Sequence, residues 1–329
     1  MKVLKKSLVI TPAQAGMAID RALLAAAWGF SRRKIRQMLD KGGVSVNQRV
    51  ERFASYKVKS GDRLTVIYLP EEKSTGEQGT IRLAPEDILF DQEELIALNK
   101  PPLLASQATR SPKVPHLLQV LEDYLCQQGE AVKQNPKLIL CHRLDKETSG
   151  ILLVARSAEA AQRVMSQFKA RKLEKTYLAV SVGLPRQNEW EVSCYLSKLH
   201  PKTGLVSQVH AGGSWSHTRF KVIAVNKTLK LCLLACYPSS GRTHQIRVHL
   251  QLSQLPIVGD KKYLRQKPEL PEELQRLSMQ HHLLHARSLL FSPRQNDREQ
   301  VLVTAPLPVG MQKFCRLAKL AIGVGEHEL

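Results

Sequence analysis

The chain has 329 residues, of which 43% are apolar and 24% charged. At roughly 150 residues per domain that is the length of about two domains, with ample chain to bury a core, and the composition excludes disordered and fibrous classes. Forty-nine Lys and Arg stand against 29 Asp and Glu, a formal charge of +20, so the expected partner is a polyanion, either nucleic acid or an anionic membrane surface.

No apolar run approaches the ~18 residues of a membrane span. Lys2, Lys5 and Lys6 precede Leu8-Val9-Ile10 in the order of a signal peptide. That run is far shorter than the roughly 7–15 residues of a secretory apolar region, so a cytoplasmic location is expected. The six cysteines, Cys126, Cys141, Cys194, Cys232, Cys236 and Cys315, include no CxxC pair. They read as reduced, mostly buried thiols.

The first 68 residues hold fourteen Lys or Arg and four Asp or Glu, half of the whole excess charge. Ile19, Leu23, Leu24 and Trp28 have helical spacing, broken at Gly29. Ser31 is positioned to cap a second helix, Arg32 to about Lys41. That helix places Ile35, Met38 and Leu39 on one face and Arg32, Arg33 and Arg36 largely on another, until Gly42-Gly43 ends it. Val44, Val46 and Val50 alternate about an Asn47-Gln48 turn, and Leu64–Tyr68 is a closing strand after Gly61-Asp62. Most Arg/Lys runs are solvated helix faces, but this concentration of charge favours contact with RNA or DNA.

The run Asp20-Arg21-Ala-Leu, Phe30-Ser31-Arg32-Arg33-Lys34-Ile35, Lys41-Gly42-Gly43-Val44-Ser-Val46-Asn47 and Gly61-Asp62 resembles an S4 RNA-binding domain over about residues 16–66. The resemblance implies RNA contacts from Arg32, Arg33, Lys34, Arg36 and Asn47. Gln48 stands where that family more often has Gly.

Residues 70–80, PEEKSTGEQGT, have linker composition. The expected division is therefore 1–69, a linker 70–83, and a second domain 84–329. In the second part strand-like runs outnumber helical ones, and no internal repeat is present.

Familiar cofactor and hydrolase signatures are missing: GxxxxGK[ST], GxGxxG, HExxH and GxSxG do not occur. His281, His282 and His285 lack a Cys or carboxylate at ligand spacing, so packing or RNA-facing roles are expected for them rather than metal. Cys232 and Cys236 fall on one face of an apolar run and read as core thiols.

Leu138-Ile-Leu-Cys-His142-Arg143-Leu144-Asp145-Lys146-Glu147-Thr148-Ser149-Gly150-Ile-Leu-Leu-Val154 places a polar loop between two apolar strand candidates. A rigid scaffold presents reactive groups on such loops, although Asp145 alone reads as a turn-forming side chain. Lys172-Leu-Glu-Lys175-Thr-Tyr177 leads into a strand, where a Tyr ordinarily just packs. Pro238-Ser-Ser-Gly241-Arg242-Thr243-His244-Gln245-Ile246-Arg247-Val248-His249-Leu250 is a Gly turn entering a short element with two Arg and two His. Taken singly, those Arg read as phosphate contacts or surface ion pairs.

Together, in this order behind the basic domain, the three segments resemble the HRLDxxTSG, KxYxAxV and GRTHQIRxHL motifs of RluA-type pseudouridine synthases, in the RluC- and RluD-like branch. Leu98-Asn99-Lys100-Pro101-Pro102, Pro256-Ile-Val-Gly259-Asp260 with Tyr263, and Leu284-His285-Ala286 agree, so the resemblance spans about 88–310. Leu103-Leu104-Ala105-Ser106 departs from it, since Gly usually follows Lys-Pro-Pro, and Ser240 replaces a Thr.

The resemblance implies an α+β fold, a small S4 domain with two helices and a β-hairpin followed by a catalytic domain on a large mixed, mainly antiparallel sheet. It implies conversion of uridine to pseudouridine in structured RNA, with large-subunit ribosomal RNA favoured. Asp145 would be the catalytic carboxylate; buried alone it would tend to protonate, and a cation within about 4–6 Å would counter that. By the same resemblance Arg247 is that cation and Tyr177 stacks on the uracil near C5. Arg143 fills the place of the extruded base or holds a phosphate, and Lys172, Lys175 and Arg242 contact the backbone. No cofactor or metal is implied, and a monomer is expected. The alternatives are a non-catalytic RNA-binding or ribosome-assembly factor, a synthase acting on tRNA, and membrane attachment through the basic N-terminus. That last reading lacks a long amphipathic helix with large apolar anchors.

Overall fold

The computed structural model describes residues 4–26, 28, 30, 35–36, 38–39, 42–68, 82–107, 115–129, 138–294 and 299–321. The chain divides into two compact units, Met1–Thr80 and Ile81–Leu329. No helix among the described residues is long and apolar enough to cross a membrane.

The N-terminal unit contains β1 (Leu4–Val9), α1 (Ile19–Ala25), β2 (Val44–Val46), β3 (Arg49–Val50) and β4 (Arg63–Tyr68). They form one antiparallel sheet in the order β1-β4-β2-β3. Residues 35, 36, 38 and 39 are helical, with Ile35, Met38 and Leu39 buried and Arg36 exposed, as the spacing predicts. Arg32, Arg33 and Lys34, with Ser31, Gly29 and Lys41, lie outside the described residues. Ile19, Leu23, Ile35, Leu39, Val44, Leu64 and Val66 form the core between helices and sheet.

β1 has no counterpart among the expected elements. Leu-Lys-Lys-Ser-Leu-Val has no clean alternation, and its pairing from Leu4↔Tyr68 to Val9↔Arg63 depends on a strand sixty residues away. Gly43 is dictated by packing, because a Cβ there would sit 2.7 Å from the carbonyl oxygen of Ile67.

The Asn47-Gln48 turn has φ of +47° and +71°, the left-handed pair that a two-residue hairpin demands. Asn47 tolerates this conformation, and its amide is engaged by the fold. Its Oδ1 accepts from the Arg63 N–H at 2.9 Å, and its Nδ2 donates to Asp62 Oδ1 at 2.8 Å.

The second Gly-to-larger departure behaves as Gln48 does. Leu103 has φ +69° and is exposed. A side chain in this region costs on the order of 1 kcal/mol relative to Gly. Gln48→Gly and Leu103→Gly are therefore each expected to stabilise the fold by about 0.5–1 kcal/mol. Thermal unfolding is the check, and a lowered Tm in either variant contradicts the strain argument.

The C-terminal unit carries an eleven-stranded sheet. Its strands are β5 (Ile88–Gln92), β6 (Leu95–Lys100), β7 (Ile139–Leu140), β8 (Ser149–Ala155), β9 (Glu174–Val182) and β10 (Glu189–Leu196). They continue with β11 (Gln208–Val209), β12 (Ser214–Asn226), β13 (Leu231–Pro238), β14 (Leu284–Phe291) and β15 (Val301–Thr304). The order is β11-β10-β12-β13-β9-β14-β8-β6-β5, with β15 on β14 and β7 on β8. Among the described strands only the β14–β8 pair is parallel, so the sheet is mixed and mainly antiparallel as expected.

Helices α2 (Leu117–Gln127), α3 (Ala158–Ala170), α4 (Gln245–Leu252), α5 (Glu272–Ser278) and α6 (Val309–Leu317) cover both faces. Along β8, Leu152 and Val154 pack with α2 while Leu153 and Ala155 pack with α3. Along β13, Leu231, Leu233 and Ala235 face α5 and α6, whereas Cys232, Leu234 and Cys236 face α4. Burial on both faces is why these strands read as continuous apolar runs. The two cysteines are buried free thiols in that core.

Candidate active site

The loop between β7 and β8, residues 141–148, is fixed at both ends. At its start, Cys141 N donates to the Leu153 carbonyl at 3.0 Å, and His142 Nε2 accepts from Leu153 N at 3.0 Å. Burial, with the Lys175 charge adding to it, pushes His142 down to about 3, which keeps the ring neutral and able to accept. At its end, Thr148 Oγ1 meets His282 Nε2 at 2.8 Å and Ser149 Oγ meets His285 Nδ1 at 2.9 Å. Gly150 follows with φ +104°, and a Cβ there would lie 2.2 Å from the Ala286 carbonyl oxygen. The Thr-Ser-Gly run is thus the set of small groups that lets β14 approach β8 in parallel.

His281, His282 and His285 are all buried. His282 and His285 pin the loop, and His281 Nδ1 turns back to the His282 carbonyl. Packing, one of the two roles expected of them, is the role they take.

The centre of the loop has two further restraints. Ser106 Oγ donates to the Leu144 carbonyl at 3.0 Å and accepts from Leu144 N at 3.3 Å. The fully buried Lys100 points its Nζ at the carbonyls of Pro101 (2.9 Å), Leu104 (2.9 Å) and Lys146 (3.2 Å). Burial pushes Lys100 down to about 7, with the Asp145 charge opposing. Three carbonyl acceptors call for three donors, and only the ammonium form supplies them.

Asp145 emerges between these restraints with its side chain 25% exposed. Its Oδ2 accepts from Arg247 Nη1 at 2.8 Å, across 102 residues of sequence. Arg247 lies on α4 and is buried, and its guanidinium is clamped a second time. Nε and Nη2 donate to Asp260 Oδ2 and Oδ1 at 2.7 and 2.9 Å, a bidentate pair. Asp260 also accepts from the backbone N–H of Lys262 at 2.9 Å and of Tyr263 at 3.2 Å. Against the cost of burial, Arg247 holds Asp260 below the usual carboxylate range. The two carboxylates in turn hold the guanidinium above its ordinary value.

His244 completes this corner, with Nε2 3.8 Å from Asp145 Oδ2 and Nδ1 2.8 Å from the Tyr263 hydroxyl. Burial, with Arg247 and Lys262 adding to it, pushes His244 down to about 4, so the ring is neutral at pH 7. The Tyr263 oxygen already accepts from Val206 N at 2.8 Å. Its proton is then best used on Nδ1, which leaves Nε2–H facing the carboxylate.

Tyr177 on β9 lies opposite Cys236 of β13 and Ala286 of β14. Burial and the negative charge of Asp145 hold its phenol above the usual range. Lys175, two residues earlier, donates to the Ser240 carbonyl at 3.0 Å, and burial pushes it down to about 8. Ser240 fills the Thr position of its motif through its hydroxyl, which donates to Gln245 Oε1 at 2.7 Å. Gln245 in turn accepts from Arg242 N at 3.0 Å.

Arg143, Asp145, Lys175, Tyr177 and Arg242 line one open cleft of about 780 Å³. His244 lines it too, and Arg247 and Thr148 line a smaller adjoining pocket that shares Asp145, Tyr177 and His244 with it. Lys172 departs from the expected grouping: it lines a separate depression with Glu159, Arg163 and Arg294. Arg36 and Asn47 belong to the other unit.

Sequence reasoning named Asp145, Tyr177 and Arg247 but gave no part to Lys100, His244, Asp260 or Tyr263. The only signal for Asp260 and Tyr263 was their presence in the Gly259-Asp260 segment after the last motif.

Comparison with known proteins agrees with this geometry. An RNA pseudouridylate synthase family model matches residues 94–252 and an S4 domain model matches residues 2–64. The chain is 30% identical to ribosomal large subunit pseudouridine synthase C of Escherichia coli (strain K12) over 320 residues, 94% of this chain and 95% of that protein. It is 32% identical to the protein of that name from Rickettsia felis over 288 residues, 83% of this chain and 88% of that one. Among solved structures, human RNA pseudouridylate synthase domain containing 4 superposes with a TM-score of 0.58 at 24% identity, covering 70% of this chain and 92% of that chain.

Proposed function

Because the chain belongs to the RNA pseudouridylate synthase family, we propose that it isomerises uridines of large-subunit ribosomal RNA with Asp145 as the catalytic carboxylate. The enzyme is an RNA pseudouridine synthase. The ribosomal large subunit synthases it resembles support the ribosomal substrate, and the basic S4 domain supports RNA capture. The observation that carries the role of Asp145 is its 2.8 Å bond to a doubly clamped Arg247, both lining one pocket with Tyr177.

The reaction breaks N1–C1′, forms C5–C1′ and releases the C5 proton. No electrons or groups are gained overall, so a carboxylate in a protected site suffices without a cofactor. Asp145 reaches the sugar, either attacking C1′ or removing the C2′ proton. Arg247 keeps the carboxylate aimed, because its second carboxylate partner fixes the guanidinium plane. Tyr177 stacks on the uracil as a neutral phenol. The C5 proton leaves to solvent water in the open cleft, with no standing phenolate to take it.

Arg143, exposed at the mouth, enters the stack as the base leaves it. Lys175 and Arg242 hold backbone phosphates along the wall, with Lys172 farther out. Arg32, Arg33, Lys34 and Arg36 supply charge from the S4 domain. With RNA capture and chemistry on one chain, the enzyme acts as a cytoplasmic monomer.

Lys100 positions the loop without touching substrate. Lys100→Met is expected to lower kcat by roughly 10²-fold through misplacement of Asp145, with RNA affinity little changed. Unchanged kcat at saturating RNA contradicts that role.

Tritium release from 5-³H-uridine-labelled transcripts tests the function itself. Release from large-subunit ribosomal RNA and not from tRNA is expected. Binding without release from any RNA would leave only an assembly factor, and release from tRNA alone would move the substrate.

A further inference from the structure

We propose that Tyr195 and Trp215 form a stacking platform for an unpaired nucleobase of the RNA, next to the uridine held at Asp145. The proposal rests on the functional reading above and adds a second contact site to it.

The two rings stand directly opposite each other in the β10–β12 register. Their centroids are 5.2 Å apart with planes at 66°. Both are large and open to solvent, Tyr195 at 45% and Trp215 at 41% exposure, while their strand neighbours Cys194, Leu196 and Ser216 are buried. The rings therefore occupy the outer face, and no core residue covers them.

This face adjoins the catalytic cleft. Arg242, which lines the cleft, donates its Nε to the Trp215 carbonyl at 3.2 Å. Leu199, exposed just beyond β10, lines the same cleft. The connecting loop is closed by two backbone bonds, His200 N to the Leu205 carbonyl at 2.8 Å and Gly204 N to the His200 carbonyl at 2.7 Å. Lys262 Nζ donates to the Gly204 carbonyl at 2.7 Å, and Val206 N donates to the Tyr263 hydroxyl that orients His244. The loop that leaves β10 and the Asp145 corner thus share Tyr263.

Charge selects the occupant. From Val192 to Gly259 the sequence has no Asp or Glu and eight Lys or Arg, and the two carboxylates that precede Tyr195 on the exposed face of β10 are paired, Glu191 with His217 and Glu189 with Arg219 and Lys221. A polyanion is attracted along this stretch, and every base offers a π-face to an exposed ring whatever its sequence. The β10 backbone edge is already taken by β11 at Tyr195↔Val209, so strand addition by a peptide has no free edge there.

Two measurements test the platform. Trp215→Ala is expected to raise KM for structured RNA about tenfold, the size of one lost base stack, with kcat at saturation retained. Trp215→Phe is expected to recover most of that loss. Independently, a chain carrying Trp28→Phe and Trp190→Phe leaves Trp215 as its only tryptophan, and single-stranded oligouridylate should quench its fluorescence saturably. Quenching without tritium release would overturn the functional reading and leave the platform standing. Unchanged KM in Trp215→Ala together with no quenching overturns the platform.

Discussion

Asp145→Asn is expected to reduce uridine isomerisation by roughly 10⁴-fold or more, the scale seen when a group acting at the reacting atoms is lost. The substitution keeps shape and removes charge. Arg247 retains its bidentate partner Asp260, and Asp145 is partly exposed. The fold therefore loses little, no more than about 1–2 kcal/mol for one charge-assisted bond. Single-turnover tritium release and a melting curve on the same preparation separate the two effects. Turnover near wild type would remove Asp145 from the mechanism, and a collapsed Tm would make its part structural.

Asp260→Ala is expected to have the largest effect on stability. Its carboxylate is fully buried and bonded to Arg247 at two atoms. Deleting it leaves the buried guanidinium with only its single bond to Asp145 and two N–H groups unpaired, a loss of about 3–5 kcal/mol. Activity should fall with it, because the freed guanidinium no longer fixes the Asp145 side chain. Arg247→Met is the reciprocal variant and should resemble it in the melt.

The pH dependence has a definite sign. Asp260 titrates below its ordinary value when folded, so its contribution is fully present above about pH 4 and fades as acid protonates it. The stability gap between wild type and Asp260→Ala should thus be constant through neutral pH and narrow in acid. A gap that widens in acid contradicts the assignment.

Both predictions depend on contacts that the sequence disclosed unevenly. Asp145, Tyr177 and Arg247 were legible because each sits in a long motif. The amphipathic spacing of Ile35, Met38 and Leu39 was legible because burial follows period, and these residues are buried. Lys100 was visible only as part of a Lys-Pro-Pro run, since nothing in spacing shows that its ammonium meets the carbonyl of Lys146, 46 residues on. Asp260 hides in the same way, thirteen residues from the Arg it holds. β1 was missed because its partner strand is remote, and Lys172 lines a depression apart from Lys175 because near neighbours in sequence can face different ways. Local chemistry writes itself into motifs, whereas long-range pairing leaves no period.

The most direct measurement is the pseudouridine map of large-subunit ribosomal RNA from cells lacking this chain, complemented with wild type or Asp145→Asn. The account predicts that particular pseudouridines revert to uridine in the deletion, return with wild type and stay absent with Asp145→Asn. An unchanged map in the deletion, or full restoration by Asp145→Asn, would contradict it.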